Sequence, residues 1–369
     1  MTGKQRVAIL KSRLYRGGVA QVLGHMIAAL NEKGIVPDIL TLRSDLTEND
    51  FEKLYRLKIK FHIKLIGPNL KMPYEWHFLY FNLLSRGFSK KYDLFINSNN
   101  TSFLAPKNIP TLTYIHYPRK DRVISDSSSI HFPEKKNKSI FEYASDPFFI
   151  ARFLYQFNKR FGKNEMIIAN SEFTKSAIER CYSNLKNPIV VVYPPVENPE
   201  IKNIEKKLQV VTLGRISSEK RQLEQIDIAL KLPDINFYIL GFSDLGKYYQ
   251  ECKEKINSSG VKNIFLLPNL NHSEIQKILA ESAIFLHNVR NEPFGIGIVQ
   301  ASAQGCIPVI HRSGGATEIV TDNQLQFNDV EEAFSIIQKI KNKEINFNFK
   351  SKFSEKEFQE TFSQLLTDY

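Results

Sequence analysis

Short apolar runs alternate with segments of helical period along almost the whole chain, and this alternation limits the fold more than any other feature. One helical segment, Val19–Glu32, keeps its apolar side chains on one face and meets Gly34 at its end. Such alternation predicts parallel sheets covered by helices. The pattern begins at residue 6 and restarts at residue 209. We therefore expect an α/β chain of two Rossmann-like domains, which suits 369 residues, more than one hydrophobic core normally holds.

The strand candidates are runs rich in Val, Ile, Leu and Phe. They are 6–10, 35–42, 93–97, 111–116, 166–170 and 189–193 in the first domain, and 209–213, 236–240, 263–267, 283–287 and 307–310 in the second. The segment Tyr193–Lys207 combines prolines with a charge run and reads as a linker. It divides the chain into domains 1–195 and 196–353. The connection Pro118–Asn164 is longer than a Rossmann unit needs, which indicates either a functional loop or disorder.

Composition argues for a cytoplasmic protein. The three cysteines form no CxxC or Cys/His cluster, so neither a disulfide framework nor a zinc site is expected. The chain begins MTGKQRVAIL, which leaves no space for the apolar region of a signal peptide. No run approaches the 18 apolar residues that a membrane-spanning helix needs.

The charge is unevenly distributed. Residues 1–195 hold 30 basic and 16 acidic side chains, a net charge of +14, whereas the remaining 20 basic and 23 acidic side chains sum to −3. A one-sided basic surface attracts phosphates, anionic lipid headgroups or nucleic acid, although a lysine-rich solvated surface is the plain alternative. No RNP, KH or helix-turn-helix signature accompanies the charge, so no nucleic-acid partner is expected.

In each of the two predicted domains, a glycine-containing loop follows the first strand. Gly17 and Gly18 open the first amphipathic helix and would let a ligand approach the backbone, although a tight turn explains such a pair equally well. They do not form a GxGxxG dinucleotide motif. In the second loop, Gly214–Arg221, Arg215 and Lys220 can converge on one anion, and a diphosphate fits. The alternative is a capped helix with solvated charges.

The strongest motif runs from Asn291 to Val320. A strand ends, a loop presents Glu292, and Gly295 with Ile296 opens a helix whose free amides suit a sugar and phosphate. Gln300 lies one turn into that helix, within reach of a ribose. Gly314-Gly315 repeats the arrangement after the next strand.

These motifs resemble the retaining GT-B glycosyltransferases of glycosyltransferase family four. The resemblance rests on Gly17-Gly18, ANSEFTK, VYPPVE, GRISSEKR and EPFGIGIVQASAQGCIPVIHRSGGATEIV, and so covers nearly the whole chain. The last stretch, with YIHYP, is most similar to the dolichol-linked oligosaccharide α-1,2-mannosyltransferases. The resemblance implies two Rossmann-like domains whose parallel sheets face an interdomain cleft, and a C-terminal helix near 354–369 that packs back on the first domain.

The family also implies roles for individual residues. Glu292 and His116 would contact the donor hexose, and these two are the expected catalytic residues, although a lone histidine at a strand end is often only a buried one. The other expected contacts are with the nucleotide-sugar donor. They involve Gly17, Gly18, Arg215, Lys220, the backbone amides of Phe294, Gly295 and Ile296, and Gln300. The family usually has glutamate where this chain has Gln300, a neutral group that can still hydrogen-bond a ribose.

No DxD occurs in the chain, so we expect the leaving diphosphate to be neutralised by Arg215, Lys220 and helix N-termini without a metal or other cofactor. By resemblance, retention proceeds by front-face attack assisted by the leaving phosphate. GDP-mannose is the favoured donor and a UDP-sugar the next.

The basic first domain is expected to bind the acceptor, a glycan on a polyprenyl or dolichyl phosphate carrier. The stretch Lys71–Lys91 combines aromatic residues with basic flanks, which suits either a helix in an anionic membrane interface or an ordinary buried helix. The enzyme would then be peripheral on the cytosolic membrane face. The alternatives are a glycosyltransferase acting on a soluble acceptor, a GT-B-like nucleotide-sugar epimerase or phosphorylase, and an inactive sugar-nucleotide binder.

Overall fold

A computed structural model gives the architecture. It describes residues 5–71, 74–100, 109–118, 161–182, 185–197, 204–345, 347, 349 and 351–367, with the side chains of 74–76 left out. Most of the long connection 118–164 lies outside these residues. The chain forms two compact units, the first made of residues 1–195 and 356–369 and the second of residues 196–355.

The first unit contains a seven-stranded parallel sheet. Its strands in chain order are β1 (Val7–Leu10), β3 (Asp38–Thr41), β5 (His62–Leu65), β6 (Leu94–Asn97), β7 (Thr111–Ile115), β8 (Glu165–Ala169) and β9 (Ile189–Val191). They lie in the order β5-β3-β1-β6-β7-β8-β9, and the short strands β2 (Arg13–Leu14) and β4 (Arg43–Ser44) pair separately. The described helices are α1 (Gly18–Glu32), α2 (Glu48–Tyr55), α3 (Tyr74–Gly87) and α4 (Glu172–Cys181).

The second unit repeats the plan with six parallel strands. These are β10 (Lys207–Leu213), β11 (Asn236–Gly241), β12 (Ile264–Pro268), β13 (Ser282–His287), β14 (Ile307–His311) and β15 (Gln326–Phe327), in the order β12-β11-β10-β13-β14-β15. The helices are α5 (Gln222–Leu230), α6 (Lys247–Ser259), α7 (His272–Glu281), α8 (Ile296–Ala303), α9 (Ala316–Ile319) and α10 (Val330–Lys341). The last helix, α11 (Glu355–Thr367), belongs mainly to the first unit.

Both sheets begin at a central strand and build outwards in two directions. Because β1 and β6 are neighbours in the first sheet and β10 and β13 in the second, each sheet reverses its strand order between these pairs. In doubly wound sheets, ligands bind outside the carboxyl ends of the strands at this switch point. The fold therefore marks one edge of each sheet as a place for a ligand.

The main apolar core of the first unit lies between α1, the sheet and α11. Phe358 and Phe362 of α11 are buried in it, with their rings stacked at 5.8 Å. A second cluster on the other face of the sheet takes in Phe78 and Phe81 of α3. The stretch 71–91 therefore contains a helix, and Phe78 and Phe81 of that helix are buried in the protein core. Among the residues the structure describes, every helix is too short or too polar to span a bilayer.

Candidate active site

The loops that follow β10 and β13 meet at the switch point of the second sheet. The first loop carries Lys220 in a short 3-10 turn, and the second carries Glu292 five residues after His287, the last residue of β13. Lys220 Nζ donates to Glu292 Oε2 at 2.6 Å, and His287 Nε2 lies 3.5 Å from the same oxygen. The three side chains are mostly buried. Sequence reasoning singled out Lys220 and Glu292 separately, and the structure joins them in one ion pair.

The charge of Glu292 is set by these neighbours. Burial alone would raise the pKa of Glu292, but the attraction of Lys220 and His287 outweighs it and holds the pKa well below its usual range. Glu292 is therefore a carboxylate at every physiological pH, with Oε2 engaged by Lys220. A carboxylate accepts several hydrogen bonds, so Oε1 is suited to accept from sugar hydroxyls.

Hydrogen bonds from buried side-chain amides hold the turn that carries Lys220. Gln222 spans the loop, accepting from the backbone amide of Ser217 at 3.2 Å and donating to the carbonyl of Arg215 at 3.0 Å. Gln225 donates to Asn288 Oδ1 at 2.7 Å and to the carbonyl of Lys220 at 3.3 Å. The sequence analysis missed these amides. The signal that could have found Asn288 is a polar residue placed directly after a buried strand.

The Glu292 loop rests on the double glycine after β14. Gly314 has a φ of +74°, and a Cβ there would lie 2.6 Å from the backbone nitrogen of Glu292 and 2.5 Å from its carbonyl oxygen. The amide of Gly315 donates to that same oxygen at 2.7 Å. We expected Gly314-Gly315 to present amides to a ligand. The structure instead shows close backbone contact that holds the Glu292 loop in place.

The first turn of α8 follows directly. Gly295 precedes the helix with a φ of +112°, and Ile296 is its first residue. The ring of Phe294 is buried against Phe353 at 5.2 Å between ring centres, so only its backbone can face a ligand. Gln300 is half-buried one turn later, and the structure gives its side-chain amide no hydrogen bond among the described residues. Helix N-termini leave amides available for anions.

Arg215 stands apart from this group. Its guanidinium is exposed and lies 3.6 Å from Glu219, four residues along the chain. Arg215 and Lys220 thus lie beside different carboxylates, Glu219 and Glu292, and their convergence on one anion stays a prediction. A role for Arg215 in donor binding stays a prediction.

In the first unit, Gly17 and Gly18 lie where the chain enters α1. Gly17 has a φ of +148°, which favours glycine, although a Cβ would meet nothing within 4 Å. The hydroxyl of Tyr55 accepts from the amide of Gly17 at 2.9 Å and donates to its carbonyl at 3.1 Å. Tyr55, which the sequence analysis did not single out, therefore fixes this loop. Contact of the two glycines with a donor stays a prediction.

His116 follows β7 at the carboxyl edge of the first sheet. Its amide donates to Asn100 Oδ1 at 3.0 Å, and its Nε2 is buried without a partner among the described residues. Burial, helped by the nearby charge of Lys11, lowers the pKa of His116 to about 3, so the imidazole is neutral at physiological pH. It can therefore donate or accept one hydrogen bond from a ligand. Its contact with a donor hexose stays a prediction.

Comparison with known families gives one match for each half of the chain. The model described as "Glycosyltransferase Family 4" matches residues 16–198, and that described as "Glycosyl transferases group 1" matches residues 196–360. Together the two families account for the chain from residue 16 to residue 360.

Several curated relatives share the name GDP-Man:Man(3)GlcNAc(2)-PP-Dol alpha-1,2-mannosyltransferase. The one from Homo sapiens is 25% identical over an alignment that covers 81% of this chain and 70% of the human protein. The one from Eremothecium gossypii is also 25% identical, over 56% of this chain and 38% of its own length. The Mus musculus relative is 27% identical over 41% of this chain, and the match spans 35% of its own length.

Solved structures confirm the fold class. Anabaena Alr3699/HepE, in complex with UDP and glucose, superposes with a TM-score of 0.69 at 16% identity, covering 99% of this chain and all of that one. WaaG, a glycosyltransferase involved in lipopolysaccharide biosynthesis, gives a TM-score of 0.67 at 11% identity over 98% and 95% of the two chains. The predicted GT-B fold with two Rossmann-like domains is therefore correct.

Proposed function

Because the chain belongs to the glycosyltransferases of family 4 and group 1, we propose that it transfers a hexose from a nucleotide-sugar donor to a glycan acceptor with retention of configuration. The observation that carries this proposal is the Lys220–Glu292 pair at the switch point of the second sheet. It provides one fixed anion for sugar hydroxyls and one cation for phosphate at the edge where such sheets bind ligands.

Lys220 and the start of α8 serve the leaving group. An ammonium has three N–H donors, and the structure assigns one of those of Lys220 to Glu292. Two remain for the donor diphosphate, and the amides of Gly295 and Ile296 at the helix N-terminus offer it further donors. When the glycosidic bond breaks, negative charge grows on the diphosphate, and preformed positive groups stabilise it without reorganising. This supports turnover without a metal.

Glu292 serves the sugar. Because Lys220 and His287 keep it ionised, it accepts hydrogen bonds from hydroxyl groups of the hexose and orients the anomeric carbon. As the family resemblance implies, we also propose a hydrogen bond between the neutral imidazole of His116 and a donor hexose. Side chains held in fixed positions would in this way distinguish one arrangement of hydroxyl groups on the donor sugar from another.

GDP-mannose is the favoured donor because the names of the curated relatives described above include it. A UDP-sugar comes next, since a structural neighbour was solved with UDP and glucose. Gln300, half-buried on α8, offers a neutral amide to the ribose. A neutral amide can hydrogen-bond the ribose of either a GDP or a UDP donor.

The acceptor is proposed to be a glycan on a polyprenyl or dolichyl phosphate carrier, as the relatives' names include a dolichol-linked glycan. The charge of +14 in residues 1–195 supports attraction to an anionic membrane surface. We accordingly propose that the enzyme acts in the cytoplasm, peripheral on the cytosolic membrane face.

Thermal-shift screening of nucleotide sugars tests the proposal. A donor at 100 times its dissociation constant adds about 2.7 kcal/mol to the free energy of unfolding. We expect GDP-mannose to raise Tm most, and release of GDP to require an acceptor and to persist in EDTA. Release of the free nucleotide or an isomerised sugar without acceptor would instead indicate an epimerase. No shift with any nucleotide sugar would reject the function.

A further inference from the structure

The first sheet carries a buried cation at its own switch point. Lys11 follows β1, Ser98 follows β6, and these two strands are the neighbours at which the strand order reverses. Lys11 is only 8% exposed, and its Nζ donates to the carbonyl of Ser98 at 2.7 Å. Lys11 and Lys220 thus both lie in the connection that follows the central strand of their sheet.

The segment around Ser98 is held rigidly. Asn99 Nδ2 donates to the carbonyl of Leu10 and to Asn97 Oδ1, both at 3.0 Å, and Asn99 Oδ1 accepts from the amide of Ser12 at 3.2 Å. Ser98 and Asn97 are fully buried. The bond between Lys11 and Ser98 therefore joins two fixed strand ends and is not a flexible surface contact.

Within the described part of the chain, three polar groups at this edge keep unused hydrogen-bonding capacity. Lys11 has two further N–H donors, and no carboxylate among the described residues pairs with it. Ser98 Oγ and His116 Nε2 are buried and have no hydrogen-bond partner in the described part of the chain. Lys11 is close enough to His116 to lower the pKa of its imidazole. Buried polar groups and charges are normally paired, so these groups are suited to bind a ligand.

Charge and donor number indicate the kind of ligand. Burial lowers the pKa of Lys11 to about 8, so the ammonium still carries its charge at neutral pH. An anion can accept from the two remaining N–H groups of the ammonium and from the Ser98 hydroxyl. Three terminal phosphate oxygens match these three donors better than the two oxygens of a carboxylate.

We propose that Lys11, with Ser98, binds a phosphate group of the acceptor. The inference rests on the proposed function, since it names the acceptor as a phosphorylated glycan or sugar. Two sources provide this chemistry, the diphosphate of a polyprenyl-linked sugar and a free sugar phosphate.

The binding test uses the full chain with saturating GDP, so that the donor site is filled. Pyrophosphate is titrated calorimetrically into the wild type, Lys11→Met and Lys11→Arg. Lys58→Met is the control, because the Lys58 side chain is 84% exposed. We expect Lys11→Met to bind pyrophosphate at least 10-fold more weakly, and Lys11→Arg and Lys58→Met to stay close to the wild type. Equal binding by Lys11→Met, or no binding by the GDP-loaded wild type, would overturn the site.

If no nucleotide binds, the proposed function fails, but the titration can be repeated on Lys220→Met, in which the second unit has lost its phosphate-binding lysine. Loss of pyrophosphate binding on adding Lys11→Met would then still support the anion site. The two failures are thus distinguishable.

A kinetic comparison separates the two sources. One sugar is offered as its polyprenyl diphosphate in detergent, as its 1-phosphate and as its neutral methyl glycoside. We expect the wild type to favour a phosphorylated form, and the better of the two identifies the source. Lys11→Met should reduce the kcat/KM ratio of that form over the methyl glycoside at least 10-fold. An unchanged ratio would refute recognition of the phosphate by Lys11.

Discussion

The contact between Lys220 and Glu292 joins two of the proposed donor-binding groups in one mostly buried ion pair. Lys220 and His287 keep Glu292 ionised, and both members of the pair keep hydrogen-bonding capacity for a ligand. Substituting either residue should therefore have two effects, because it removes one proposed ligand contact and leaves the other side chain without its partner.

Lys220→Met should reduce kcat by roughly 10²-fold or more, because the ammonium stabilises charge that develops on the leaving diphosphate. Steady-state kinetics with the donor found by thermal shift measures this. Lys247→Met is the matched control in the same unit, since the Lys247 side chain is 93% exposed. Full activity of Lys220→Met would remove Lys220 from the site.

Lys11 predicts an unusual dependence of stability on pH. The pKa of lysine is about 10.4 in an unfolded chain, whereas burial lowers the pKa of Lys11 to about 8. Between these values the unfolded chain binds more protons, so the free energy of unfolding rises with pH, by up to about 1.4 kcal/mol per unit. Below pH 8, Lys11 is charged in both the folded and the unfolded chain, so the full cost of burying its charge lowers the free energy of unfolding.

Urea unfolding at pH 7.5, 8.5 and 9.5 tests this dependence. The wild type should gain stability relative to Lys11→Met as the pH rises, and Lys58→Met should follow the wild type. Parallel pH profiles for the wild type and Lys11→Met would contradict a buried lysine.

At the scale of elements, strands and helices could be predicted because apolar periodicity fixes them. The predicted strand 111–116 ends one residue beyond β7, and 209–213 lies within β10. The strand β5 was missed because all four of its residues are exposed at the sheet edge, so it lacks an apolar run. Two-residue strands such as β15 are too short to show a period.

The site was only partly predictable for a related reason. Lys220 and Glu292 could be chosen by residue type and by their position after strands, but their pairing depends on two loops 72 residues apart in the chain. Gly314 illustrates the limit. Its type suggested ligand contact, whereas its actual neighbours are backbone atoms of the Glu292 loop, which no local pattern reveals.

Gly314→Ala tests that contact. A Cβ would lie within 2.6 Å of the Glu292 backbone, so the loop must shift and displace the carboxylate. Because a misplacement of about 1 Å can lower turnover 10²-fold, we expect a loss of that order in kcat/KM for the donor. Gly260→Ala is a matched control, with a φ of +70° and nothing within 4 Å of its Cβ. If both variants lose stability but keep turnover, the contact does not position Glu292.

At the scale of the whole molecule, α11 makes the first unit depend on residues far along the chain. Phe358 is 2% exposed and packs against Tyr114, with 6.3 Å between ring centres. Phe358→Ala should lower the free energy of unfolding of the first unit by about 3–5 kcal/mol. Hydrogen exchange should show faster exchange in β1 and α1 but not in β10.

Phe242→Ala is the control for this prediction, because the Phe242 side chain is 63% exposed. Equal exchange in the Phe358→Ala variant and the wild type would show that α11 contributes little to the first core. Loss of protection in both units would show that they unfold together.

The uneven charge of the molecule predicts salt-sensitive membrane binding. We expect co-sedimentation with vesicles containing phosphatidylserine at low salt, because each Lys or Arg near an anionic surface contributes about 1 kcal/mol. Binding should fall steeply as ionic strength rises, and neutral phosphatidylcholine vesicles are the control. Absence from the anionic pellet would favour a water-soluble acceptor.

The return of α11 to the first unit also has a consequence during synthesis. The ribosome completes the entire second unit before it makes Phe358 and Phe362, whose rings help fill the core of the first. The earlier-made unit therefore matures last, and until then it exposes apolar surface of the kind that chaperones recognise. A nascent chain that stalls before Phe358 should carry a folded second unit and an unfinished first unit, and protein quality control should remove it.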